Sequence, residues 1–215
     1  GELEVYDIAR KDSRRISVFV PNDGLAMRPS RYPVEKNIED FELSPKGERV
    51  LFVARGDVFT VPVEKGPTRN LTRSSRYHDK HARWSPDGRK IAFVSDRTGF
   101  LEEYHEERTE CLFVMNGDGT GIHQITFNPG TYFEPTVLRD GRILCAFWDA
   151  FHINVPPLDK HETVLLTVNP DGTDERHYFG AGQYRFFGRE RHSGVSFTTP
   201  REVPDGRILV QCELG

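Results

Sequence analysis

A hairpin that occurs four times limits the folds open to this chain. Trp84-Ser85-Pro86-Asp87-Gly88-Arg89-Lys90-Ile91-Ala92-Phe93-Val94 reads as strand, tight turn and strand. Asp-Gly accommodates the turn's backbone angles, and a β-branched and aromatic run follows at once. Ser44-Pro45-Lys46-Gly47-Glu48-Arg49-Val50-Leu51-Phe52-Val53 is a close copy, and the stretches Arg139 to Leu144 and Val203 to Val210 are looser ones. A hairpin repeated at this spacing marks an internal-repeat architecture.

A second signature alternates with the first. Leu112-Phe113-Val114-Met115-Asn116-Gly117-Asp118-Gly119-Thr120 matches Leu165-Leu166-Thr167-Val168-Asn169-Pro170-Asp171-Gly172-Thr173, and the stretches Val58 to Gly66 and Leu3 to Ile8 hold the same place in their repeats. Each repeat is therefore two hairpins, a-b and c-d, forming one four-stranded antiparallel sheet. Such sheets bury both faces by stacking radially, so the expected fold is all-β, a β-propeller. Its blades span about 38–73, 80–127 and 132–179. Strands at 2–8 and 15–20 read as c and d without a and b, and 197–215 as a and b without c and d. The two ends together predict a fourth, composite blade, in a single domain or half-propeller over 1–215. The first-hairpin glycines 47, 88, 141 and 206 lie 41, 53 and 65 residues apart. A minimal blade needs roughly 40 residues, so the growth falls in loops.

Proline-Asp-Gly on the first hairpin and Asn-x-Asp-Gly-Thr on the second resemble the TolB-type propeller repeat. Through Ala54-Arg55-Gly56-Asp57-Val58-Phe59, Asn70-Leu71-Thr72 and His81-Ala82-Arg83-Trp84-Ser85-Pro86-Asp87-Gly88, residues 38–99 resemble the propeller of tricorn-type proteases. Residues 131–215, through the stretch Glu134 to Ile143 and Trp148, resemble the propeller of hydrazine-synthase-like proteins. In both enzyme families the resemblance implies a propeller accompanied by other domains that do the chemistry.

Composition narrows the function. Hydrophobic residues make up 36% and aromatic ones 11%, with 19 Gly and 14 Pro, which suits a turn-rich β protein rather than a disordered chain. A net charge of -4 with both signs mixed gives no basic face for nucleic acid. No apolar run approaches membrane-spanning length and no signal peptide is present, so a soluble chain is expected, periplasmic or cytoplasmic. The leading Gly1 and the end at Gly215 suggest an excised piece. Cys111, Cys145 and Cys212 each sit in an apolar strand pattern and are expected as buried thiols. No Cys-x-x-Cys-His is present, and no cofactor is expected.

Every long connection (21–37, 96–110, 149–162 and 180–196) is a b-c or d-a connection, and these share one face of a propeller. Binding residues ride on variable loops held by a rigid scaffold, so that face is expected to carry function. Its candidate binding residues are His105, Trp148, Asp149, His152, His161 and His192, with Trp148 ending strand b toward the loops. Imidazoles among carboxylates also suit a transition metal, yet no pair has a compact ligand spacing and no metal site is assigned. The acidic run Glu102 to Glu110 reads as one or two helical turns. Trp84, just before the Asp-Gly turn, is expected to fill the space between blades.

No Gly-x-Ser-x-Gly elbow or other catalytic motif occurs. The sequence thus points to a non-catalytic scaffold or a protein- or peptide-binding module that self-associates into a larger ring, with no nucleic acid or membrane partner. Two alternatives stand beside it: a propeller domain of a larger enzyme that gates or docks substrate, and a recombined or designed propeller fragment.

Overall fold

The structure, a computed structural model, describes residues 3–17, 33–74, 76–102, 106–152, 159–180 and 195–214. It divides into two compact units, Gly1–Pro33 and Val34–Gly215. The first is one antiparallel hairpin, β1 (Leu3–Asp7) and β2 (Asp12–Ile16), in register from Leu3↔Ile16 to Asp7↔Asp12. The expected turn over 9–14 is shorter, because Asp7 Oδ1 accepts the N–H groups of Ala9 and Arg10 (2.9 and 3.0 Å) and closes the loop early. The second strand thus begins at Asp12 rather than near residue 15.

The second unit holds three four-stranded antiparallel blades in sequence. They are β3 (Ile38–Leu43), β4 (Arg49–Ala54), β5 (Asp57–Pro62) and β6 (Arg69–Asn70); β7 (Asp79–Trp84), β8 (Lys90–Ser95), β9 (Cys111–Asn116) and β10 (His123–Gln124); and β11 (Thr131–Val137), β12 (Ile143–His152), β13 (Asp159–Val168) and β14 (Arg176–Phe179). The hairpin β15 (Val195–Glu202) and β16 (Ile208–Leu214) follows. The repeated motifs explain the turns. Ser85 Oγ accepts the Lys90 N–H (2.9 Å), Asp87 Oδ1 accepts that of Arg89 (3.0 Å), and Gly88 takes a φ of 70°. In the second hairpin Asp118 Oδ1 accepts both the N–H and the hydroxyl of Thr120, and Asp171 does the same for Thr173.

Side-chain alternation along each strand supplies two cores per blade. In the central blade, Ile91, Phe93, Cys111, Phe113 and Met115 pack with Leu51, Val53, Val58 and Leu71 of the first. The intervening residues Ala92, Val94, Leu112 and Val114 pack with Tyr132, Ile143, Cys145, Phe147, Val164 and Leu166 of the third. Leu144, Ala146 and Leu165 then turn the other way, onto Phe197 of the last hairpin. Trp84 is buried between the first two blades, as the sequence predicts.

Three further expectations are corrected. The stretch from Asp96 to Glu110 forms no helix among its described residues. Leu101 and Arg108 make a bridge, the Glu102 N–H donates to the Glu107 carbonyl (2.8 Å), and the Thr109 N–H donates to that of Phe100 (2.9 Å). Two helical turns of like-charged side chains repel along i, i+4 and do not repay nucleation. The connection assigned to 149–162 is mostly strand. β12 and β13 pair without a break from Ile143↔Val168 to His152↔Asp159, so Asp149, His152 and His161 lie on a ladder rather than a loop. Cys212 is exposed, whereas Cys111 and Cys145 are buried, because β16 has no strand on its outer edge in this sheet. The last hairpin also meets the third blade's sheet, where β15 makes one parallel pair with β13, Thr163↔Ser196. No helix among the described residues is long and apolar enough to cross a membrane.

Candidate functional site

The innermost strands β3, β7, β11 and β15 contact one another in turn, and each is interrupted by a β-bulge. The register shifts fall between Ile38 and Asp40, Lys80 and Arg83, Phe133 and Thr136, and Thr198 and Arg201. Three bulges hold a non-glycine residue at positive φ: His81 (52°), Glu134 (49°) and Thr199 (52°). For β-branched Thr199 this is a strained conformation, of the kind that gathers at functional sites. A bulge also re-aims the side chains beside it. The residues so placed are polar, although the strands beside them are largely buried and apolar.

Carboxylates from one blade reach the inner strand of the next. Asp40 Oδ2 accepts from Arg83 Nη1 at 2.6 Å, and Glu42 Oε2 accepts the Trp84 N–H at 2.5 Å. Glu134 Oε2 accepts the Thr199 N–H at 2.5 Å, and Glu202 Oε2 reaches back to the Arg139 N–H at 2.7 Å. Burial disfavours the Asp40 carboxylate, but bonding to His81 and Arg83 outweighs it and holds the pKa at about 2. His81 Nδ1 is 3.8 Å away, so the short Arg83 bond is the stronger hold. Glu42 is pushed above the usual carboxylate range by burial. Arg201 is pushed down, first by burial and then by the charge of Arg83, while Asp40, Glu134 and Glu42 act in the opposite sense. One residue of β15 thus feels charges on β3, β7 and β11, and the four inner strands converge on a shared polar cluster.

The structure describes only some of the residues expected from the sequence. His105 and His192 lie outside the described residues, as do the side chains of Asp149, His152 and His161. The backbone places the last three on one ladder, with Asp149 opposite Glu162, Ala150 opposite His161 and His152 opposite Asp159. Trp148 is half-buried on β12, opposite Thr131 and Thr163. His81 belongs to β7 and the inner cluster. Among the described residues no group of three or more His, Cys, Asp or Glu is placed to hold a metal ion. The inner cluster had a signal in the sequence: Asp40 and Glu42, His81 and Arg83, Glu134 and Thr136, and Thr199 and Arg201 occupy matching positions of the repeated strand.

No protein-family model matches the chain. Over 92 residues it is 29% identical to dipeptidyl-peptidase 5 of Porphyromonas gingivalis, a match covering 37% of this chain and 13% of that protein. TolB from Agrobacterium tumefaciens superposes with a TM-score of 0.57 at 15% identity, over 98% of this chain and 62% of its own. The fold is that of a β-propeller. Hydrazine synthase of Kuenenia stuttgartiensis gives 0.58 at 14% identity, over 98% of this chain and 31% of its own. Tricorn protease gives 0.46 at 14% identity, over 78% of this chain and 15% of its own. The neighbours of this propeller therefore include enzymes as well as TolB, and the chain spans only part of each.

Proposed function

We propose that the chain is a non-catalytic propeller module that binds protein or peptide on the face carrying its b-c and d-a connections, and that it associates with a second copy of itself. The observation that carries this reading is the β12–β13 hairpin. These strands are 10 residues long, against 6 for β8 and β9. The extra length carries Trp148, Asp149, His152 and His161 on a paired ladder, which holds them better than an open loop does. Replacing residues 149–162 by a two-residue turn tests it. Peptides selected from a random display library on the intact chain should lose about tenfold or more in affinity for the shortened variant, while its melting temperature stays unchanged. Equal affinity for both proteins would count against the binding face.

A second reading, a propeller domain of a larger enzyme, is favoured by coverage alone. The chain spans 13% of the dipeptidyl-peptidase and 31% of hydrazine synthase. A coding sequence that continues into a hydrolase or redox domain would support it, and peptidase activity in the isolated chain would replace both readings.

A further inference from the structure

Arg83 and Arg201 occupy equivalent positions on β7 and β15, yet their surroundings differ. The Arg83 guanidinium is ion-paired with Asp40 at 2.6 Å and also donates to the Ala82 carbonyl at 2.9 Å. Arg201 is half-buried, and among the described residues it makes no ion pair; its one hydrogen bond runs from Nη1 to the neutral Pro200 carbonyl at 2.8 Å. A guanidinium partly withdrawn from water without a direct ion pair costs folding energy. The cost is built in, because the strained Thr199 bulge, held by Glu134 through the Thr199 N–H, sets the course of the chain that carries Arg201. The neighbouring carboxylates are already engaged: Asp40 by Arg83 and the Phe41 N–H, Glu42 by the Trp84 N–H, and Glu134 by the Thr199 N–H.

We propose that the polar cluster between the inner strands is a carboxylate-binding site, in which the Arg201 guanidinium is the principal anchor. A guanidinium presents a planar fork of donors that fits a carboxylate in two parallel hydrogen bonds. Arg83 is committed to Asp40, so Arg201 can meet one carboxylate, while a second negative charge on the ligand would face Asp40, Glu42 and Glu134 with no further cation to offset it. The ligand class is therefore a monoanionic carboxylate, from either a peptide C-terminus or a small organic acid. This site lies among the inner strands, and its existence does not depend on the β12–β13 hairpin.

Calorimetric titration of the full chain with N-acetyl-trialanine, its C-terminal amide, propionate and citrate decides the matter. Saturable binding of N-acetyl-trialanine, lost in the amide and weakened about tenfold or more in Arg201→Gln, is the expected result. Propionate binding as tightly as the peptide assigns the site to small acids, whereas peptide binding much tighter than propionate assigns it to C-termini; both outcomes support the carboxylate chemistry. Equal binding of acid and amide, a preference for citrate, unchanged affinity in Arg201→Gln, or no saturable binding would overturn it. Melting temperature gives a second readout. Removing an unpaired half-buried cation should leave it unchanged or raise it, whereas an arginine kept for structure would lower it. Arg201→Lys keeps the charge without the fork and should bind the peptide several-fold more weakly. Full affinity there would also overturn the bidentate anchor. Shortening 149–162 should leave this binding intact, so the two proposals fail independently.

Discussion

Asp40 shows how a single side chain ties two blades together. It bridges from β3 to Arg83 on β7, and its folded-state pKa near 2 lies below the ordinary aspartate value. A depressed carboxylate contributes stability that is complete above its unfolded pKa, near 4, and disappears as pH falls to about 2; the shift corresponds to about 2 kcal/mol. Asp40→Asn should therefore be less stable than the parent by at least about 2 kcal/mol at pH 7, because Arg83 is left buried and unpaired. Urea unfolding should show the gap narrowing steadily from pH 4 to pH 2. A gap that is constant with pH would mean that the Asp40 charge plays no part. The Asp40–Arg83 pair was not legible in the sequence. Asp40 and Arg83 look like ordinary polar alternates on two strands, and only the convergence of strands forty or more residues apart brings them together.

At the level of the hairpin, much more was legible. Asn-x-Asp-Gly-Thr and Ser-Pro-x-Gly specify local hydrogen bonds, so short-range chemistry fixes those turns wherever they occur. The β12–β13 extension escaped notice because its pairing is cross-strand and leaves no local signature around Val155-Pro156-Pro157. The glycines of the Asp-Gly-Thr turns have a further role. Gly119 has a φ of 88°, and a Cβ there would lie 2.9 Å from the Leu71 carbonyl; Gly172, at 84°, stands in the same relation to the Ile125 carbonyl. Each turn is therefore pressed against the last strand of the preceding blade. Gly119→Ala should cost about 1–3 kcal/mol through backbone strain and forced separation of the first two blades. Gly141→Ala, where a Cβ meets nothing within 4 Å, should cost only the positive-φ part. Equal denaturation midpoints for the two variants would show that the close approach at Gly119 is unimportant.

For the molecule as a whole, the alternating cores leave a question at the first blade. Ile91, Phe93, Phe113 and Met115 of the central blade are buried, but their repeat equivalents Val50, Phe52, Phe59 and Val61 are only half-buried, and Phe41 and Leu43 on the same sheet are 69% and 56% exposed. A sheet face of this composition matches what one blade of this chain presents to the next. Light scattering across a range of concentrations should show a mass above 24.7 kDa that falls on dilution; a mass fixed at the monomer value would reject self-association. The glycine contacts add a direction to any such assembly. Both Asp-Gly-Thr turns press backward onto the blade before them, so the two ends of the stack are unlike, and copies that join in this manner do so head to tail. Head-to-tail contacts close into rings only when the rotation per copy divides a full circle; otherwise growth continues as a helical fibre. The angle between blades thus sets not only the width of one molecule but whether its assemblies stop growing, and electron micrographs should show discs of one diameter rather than filaments.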